Sequence, residues 1–212
     1  MKESSPFIIT ISRQLGSGGA YIGQQLAKKL NIFYADREII IQAAKQFSVL
    51  EEDLESSDEK KGSFWQSIIQ SYGFGTLDAF VPPQITLPTD SILFKAESEI
   101  ITHIARERSA VIIGRCGSYI LRDLPNHVSI FLHADLPFRR WRIQQVYKLS
   151  DKDATHKVIQ SDKERSLYYH AFTGKEREDT TQYDISLNTG KIGLDKSVEI
   201  IMQYLDFIMK VD

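Results

Sequence analysis

The sequence predicts an α/β protein, a parallel sheet wrapped by helices. Three observations predict it. Phe7, Ile8, Ile9 and Ile11, then Val111 to Ile113, then Val128, Ile130 and Leu132 form short apolar runs, as strands buried on both faces do. Between them lie segments whose apolar residues recur at helical spacing. Glycines and charged residues follow the runs at Gly16 to Gly19, Asp36, Gly114-Arg115 and Asp135. Those are carboxyl ends of strands, where open parallel sheets bind their ligands.

In chain order, the first run feeds Gly16-Ser17-Gly18-Gly19, and Ile22, Leu26, Ala27 and Leu30 then mark a helix. A short strand, Ile32 to Ala35, stops at Asp36, and Ile39 to Phe47 is helical in pattern. Residues 51–90 contain a polar stretch, Ser56 to Ser63, and then Gly73, Gly75, Pro82, Pro83 and Pro88. This predicts an irregular, mobile insertion over the main sheet. A helix from Ser91 to Arg108 returns the chain to the strand Val111 to Ile113. After the strand ending at Asp135 come two helices, one through Arg139 to Arg142 and one through Lys157 to Arg165. Tyr183 to Leu187 is a last strand and Asn188-Thr189-Gly190 a turn. Leu194, Val198, Ile201, Leu205 and Ile208 form one face of a closing helix.

Composition narrows the function classes. The 212 residues suit one domain, spanning 1–212. With 42% hydrophobic residues and a net charge of −2, the chain has enough apolar surface for a core and no general attraction to nucleic acid. No run approaches the ~18 apolar residues of a membrane span. Met1 to Pro6 lack a leader pattern, so the expected location is the cytoplasm. Cys116 is the one cysteine, which excludes an intrachain disulfide and a four-cysteine zinc site. His103, His127, His133, His156 and His170 are scattered without an i, i+4 pair, so none is assigned as ligand or base.

A strand entering a glycine turn and then a helix N-terminus is an anion cradle, because converging N–H groups and the helix dipole favour negative charge. The usual phosphate loop is Gly, four residues, Gly-Lys-Ser/Thr. Here Arg13 falls on the first glycine, Gly18 on the second, Gly19 on the lysine and Ala20 on the hydroxyl residue. The backbone function is kept and the strongest side chains are lost; Arg13 is a candidate for the missing cation. The dinucleotide pattern fails at its third glycine, which is Tyr21. A turn that merely joins strand to helix is the plainer alternative.

The segments ITISRQLGSGGAYIGQQLAKKL, FYADREII, VIIGRCGSYIL, IFLHADLPFRRWRI, DKERSLYYHAFTGK and YDISLNTGKIG run in order from Phe7 to about Gly193. Together they resemble the cytidylate kinase-like family, a branch of the nucleoside monophosphate kinases with a P-loop kinase-like fold. The resemblance implies transfer of the terminal phosphoryl group of ATP to CMP or dCMP with Mg²⁺, small-molecule nucleotides as partners, and no nucleic-acid or membrane partner. It makes 51–90 the inserted monophosphate-binding segment and 139–180 the lid region. It implies that Gly16, Ser17, Gly18 and Gly19 hold the donor, that Asp36, Arg115, Asp162 and Arg165 bind the acceptor, and that Arg139 and Arg142 close over the donor phosphates; Ala20 and Tyr21 are further candidates on the donor side and Arg37 on the acceptor side. The chain departs from the family where it has Cys116 instead of an acid, Ala20-Tyr21 instead of a metal-holding hydroxyl, and Gln42 instead of arginine.

Phosphoryl transfer needs positioning and charge stabilisation more than covalent help. Arg13, Arg115, Arg139 and Arg142 are the candidate catalytic cations, since guanidinium forks match phosphate oxygens. Asp36 and Asp135 are strand-end carboxylates, but the metal ligands stay unassigned. Arg140, Lys175 and Arg177 are expected on a solvated face. Asp162 and Arg165 could equally be a surface ion pair, and Asp36 a helix cap. Trp65, Tyr72, Phe74, Tyr168 and Tyr169 could stack on a base or simply pack. Two other functions stay open: a non-catalytic nucleotide-binding protein, and a phosphotransferase with a different small acceptor.

Overall fold

A computed structural model describes residues 6–37, 39–41, 43 and 87–209. Strands β1 (Ile8–Arg13), β2 (Phe33–Ala35), β3 (Ala110–Ile113), β4 (His127–His133) and β5 (Ile185–Asn188) form one sheet in the order β2-β3-β1-β4-β5. Every neighbouring pair is parallel. The helices are α1 (Gly19–Leu30), α2 (Leu87–Glu107), α3 (Gly117–Ile120), α4 (Leu136–Tyr147), α5 (Asp151–Thr173), α6 (Thr189–Ile192) and α7 (Leu194–Met209).

β1 is central, and all six of its residues are buried. Successive strand side chains alternate between faces. Ile9 and Ile11 therefore meet Ile22 and Leu26 of α1 and Val198 and Ile201 of α7. Ile8 points the other way, into a cluster with Ile100, Ile101 and Ile104 of α2. Each fully buried Ile or Leu stabilises the fold by about 1.5–3 kcal/mol. A third, smaller cluster joins Leu15 to Ile143 of α4 and to Ala154 and Val158 of α5. It seats that helical pair beside the glycine turn.

Several expected boundaries move. β1 runs on through Ser12 and Arg13, because both still pair with β4. α2 begins at Leu87, inside the expected 51–90 insertion; residues 51–86, with Trp65, Tyr72 and Phe74, lie outside the described residues, as do 42 and 44–47 of the second expected helix. α5 spans 23 residues, well beyond Lys157 to Arg165. Its Ser150 cap accepts a hydrogen bond from the Asp153 N–H at 3.2 Å, and Gly174 ends it at φ +68°. Asn188-Thr189-Gly190 is not a plain turn. Asn188 caps α6 by accepting from the Lys191 N–H at 3.2 Å. Among the described residues no helix is long and apolar enough to cross a membrane.

Candidate active site

β1 delivers the chain to the glycine turn. Gly16 and Gly18 have φ of +85° and +84°, a region that side chains rarely enter. A Cβ on Gly16 would lie 2.7 Å from the Arg139 carbonyl oxygen, and one on Gly18 would lie 2.5 Å from Leu194 Cδ2. Glycine is therefore required at Gly16 by both conformation and packing, and at Gly18 chiefly by conformation. Gly18 caps α1 with no side-chain hydrogen bond, so the first-turn amides keep their donors for a ligand. Ser17 is framework: its Oγ donates to the Gln14 carbonyl at 2.9 Å, and its own carbonyl accepts from Thr189 Oγ at 2.8 Å. Tyr21 turns toward α7 and donates to Asp195 Oδ1 at 2.6 Å.

Arg13 crosses from this turn to the end of β3. A Cβ on Gly19 would lie 2.7 Å from Arg13 Cγ. The Arg13 side chain is therefore packed on the start of α1, where a phosphate-loop lysine would sit in sequence. Its guanidinium reaches Gly114. Beyond it opens a cleft lined by Arg13, Arg37, Arg115, Arg165 and Arg177, with Glu164 as counter-charge and Tyr168 and Tyr169 on one wall. Burial, then the charges of Arg115 and Arg13, pull the Arg37 guanidinium down to about 10. It is still charged near neutrality. Burial and the nearby Glu97 push the Cys116 thiol up to about 12, which makes it an inert thiol.

A second hollow is formed by Gly16, Gly18, Ala20, Tyr21 and Gln24 with Arg142 and Tyr147 of α4. Of the expected residues, Gly16, Gly18, Ala20, Tyr21 and Arg142 thus line one cavity, and Arg13, Arg37, Arg115 and Arg165 line the other.

Some expected residues lie elsewhere. Asp36 accepts from the Ile39 N–H at 3.1 Å, so it caps the helical stretch that follows β2. Asp162 lies behind the turn: it accepts from the Leu15 N–H at 3.0 Å and pairs with Arg139. Arg139 is 8% exposed and also donates through Nε to the Ala134 carbonyl at 2.8 Å. In this structure Asp162 and Arg139 brace the turn and do not face either cavity.

Arg177, expected on the surface, is 4% exposed. Its Nη1 donates to the Arg13 carbonyl at 2.7 Å, and Arg165 Nη1 donates to the same carbonyl at 3.2 Å. Glu97 was missed altogether. It is 0% exposed, pairs with Arg115 at 3.1 Å, and accepts from Tyr168 Oη at 2.6 Å. The available signal was an acid set among Leu93, Ala96, Ile100, Ile101 and Ile104, the stripe that packs into the core.

The residues fit a triphosphate better than they fix a metal. Open amides, two obligatory glycines and a packed arginine suit phosphate oxygens. Among the described residues no group of three or more His, Cys, Asp or Glu could hold a metal ion. Mg²⁺ would thus be held chiefly by phosphate oxygens and waters, as is its habit.

A five-stranded parallel sheet with a glycine turn at the tip of its central strand defines a P-loop kinase-like fold. The chain belongs to the cytidylate kinase-like family, whose model matches residues 8–191. A cytidylate kinase of Sulfurisphaera tokodaii is 21% identical over 202 residues, covering 95% of this chain and 97% of that protein. Among solved structures, an uncharacterized protein from Eubacterium ventriosum superposes with TM-score 0.71 at 25% identity, covering 94% of this chain and 98% of its own. A shikimate kinase from Bacteroides thetaiotaomicron reaches TM-score 0.51 at 15% identity with the same coverage, a likeness of fold alone. Family and fold together support nucleotide kinase activity.

Proposed function

We propose that the protein transfers the γ-phosphoryl group of ATP to a nucleoside monophosphate, CMP or dCMP. The observation that carries the reading is the position of Arg13, packed on the start of α1 and reaching the arginine-lined cleft. One cation thereby touches both the donor side and the acceptor side.

In this reading the triphosphate lies over the amides of residues 16–21, with its nucleoside end toward Arg142 and Tyr147. Mg²⁺ supplies neutralisation of the donor phosphates. Arg37, Arg115 and Arg165 hold the acceptor phosphate. One of its oxygens bonds to the γ-phosphorus while the bond to the β–γ bridging oxygen breaks, leaving ADP. A phosphate dianion is already a nucleophile, so no general base is needed. Arg13 stands where charge builds on the equatorial oxygens. A guanidinium in such a position is worth about 10³–10⁵ in rate in related phosphoryl-transfer enzymes. Asp162 and Arg139 hold the turn in shape.

Cys116, standing where an acid reads the base in the family, favours a second reading in which the acceptor is another small phosphate ester. CMP, dCMP, UMP, AMP and GMP assayed with ATP and Mg²⁺ decide between them. Acceptor-dependent ADP release with CMP or dCMP is the expected result. Release with none of the five would remove the first reading.

A further inference from the structure

Glu97 is the feature that the phosphoryl-transfer reading leaves unused. It comes from α2, at a position whose neighbours on the helix are core residues, and it is 0% exposed. A carboxylate there is a poor stabiliser, since buried ion pairs replaced by well-packed apolar side chains often leave stability unchanged or improved. Its contacts are specific. Arg115 Nη2 is 3.1 Å from Oε1, and Tyr168 Oη donates to Oε2 at 2.6 Å. Arg115 also lies over the Tyr168 ring, 4.9 Å from its centroid. Three elements meet here: α2, the tip of β3 and α5.

The backbone at the tip of β3 carries strain as well. Gly114, Arg115 and Cys116 have φ of +75°, +53° and +55° in succession. Two non-glycine residues in a row in the left-handed region persist only where their surroundings over-determine them, and such strain gathers at functional sites. The strain and the buried charge converge on one group, the Arg115 guanidinium at the wall of the cleft.

We propose that Glu97 is a positioning residue of the acceptor side. Its carboxylate, shared by Arg115 and Tyr168, fixes the guanidinium in the orientation that receives the acceptor phosphate. The proposal rests on the nucleoside monophosphate kinase reading for the identity of that phosphate. Simple electrostatics makes the opposite forecast: removing a negative charge from an arginine cluster strengthens anion binding.

The test compares wild type, E97Q, E97D and Y168F by steady-state kinetics with CMP and ATP, and by ¹⁵N NMR of the arginine side chains. For E97Q the expected result is an acceptor KM raised at least tenfold with the ATP KM within twofold. E97D recovers part of the loss. In wild type without nucleotide, the Arg115 Nε–Cζ rotation is expected to be slow and the Nη protons resolved. That measurement needs no activity and survives if E97Q fails to fold. An acceptor KM that falls or stays level in E97Q overturns the proposal, as does an ATP KM that rises in parallel. A freely rotating Arg115 in wild type overturns it too. If wild type turns over no monophosphate while Arg115 is held rigid by Glu97, the kinase reading has failed and the positioning has not.

Discussion

Arg13 and Gly114 are in contact at the carboxyl ends of the paired strands β1 and β3. A Cβ added to Gly114 would lie 2.1 Å from Arg13 Nη1. Gly114 also sits at φ +75°, so alanine there is strained whatever the space. The atom it meets is the end of a flexible side chain, which can swing away. Gly114→Ala should therefore lower stability by only ~1–2 kcal/mol but displace the guanidinium. Turnover should drop at least tenfold. A variant with wild-type kcat and a lowered Tm would mean that the Arg13 head group has no part in the chemistry.

The glycine turn makes a sharper forecast. Gly18→Val adds a branched side chain at φ +84°, 2.5 Å from Leu194 Cδ2 already at its Cβ. A branched residue is strained at that φ whatever Leu194 does, so the α1 amides are expected to lose their alignment. Calorimetric titration with ATP should show binding lost, while circular dichroism keeps its helical signal. ATP affinity within twofold of wild type would remove the loop from the donor site.

Arg177 is a stability prediction. It is buried and donates to the Arg13 carbonyl at 2.7 Å, besides pairing with Glu178 and standing 3.9 Å from Asp162. Arg177→Ala removes one partner of a buried charged network. A loss of about 3–5 kcal/mol in urea unfolding is expected. Arg140→Ala, whose pair with Asp151 is at the surface, should change stability by less than about 1 kcal/mol.

The alkaline limb of stability follows from the wall of the cleft. The buried Cys116 thiol keeps its proton up to about 12, against 9.0 for its ordinary value. Burial also raises the Tyr168 and Tyr169 hydroxyls above their ordinary range. Between those limits the unfolded chain binds fewer protons than the native one, so stability falls as pH rises. The slope for a single group reaches about 1.4 kcal/mol per pH unit. Arg37 acts with the opposite sign, but only above about 10. The urea midpoint should be lower at pH 10 than at pH 8. Iodoacetamide at pH 8.5 should label Cys116 slowly in native protein and quickly in urea.

Crowded guanidiniums also forecast a ligand effect. Arg115 and Arg13 disfavour the charge on Arg37, and a bound anion relieves that repulsion. CMP at a hundred times its Kd should stabilise the fold by about 2.7 kcal/mol. A rise in Tm with CMP, absent with cytidine, is the readout. Equal shifts from both would show that the arginines do not sense the phosphate.

Much of this architecture was legible in the residues. Ile8 to Ile11, Val111 to Ile113 and the 22, 26, 27 spacing gave strands and a helix because burial on both faces, or along one stripe, leaves a periodic mark. Arg37, Arg115 and Arg165 were named and do line one cleft. Arg177 is not legible, because its burial depends on a partner 164 residues away, and Glu97 shows only as an acid in an apolar stripe, its partners at the tip of β3 and on α5 being set by the fold. Arg139 and Asp162 pair behind the glycine turn, outside the lining of both cavities. Sequence spacing puts them near the turn but cannot say which side of it their side chains take.

The carbonyl of Arg13 is gripped by guanidiniums from α5 and from the segment beyond it, while its side chain packs beside Gly19 and reaches Gly114. One residue is thus both anchor and messenger. Any outward swing of α5 would have to break the Arg165 bond to the tip of β1, so the helix and the strand end that feeds the glycine turn are mechanically tied.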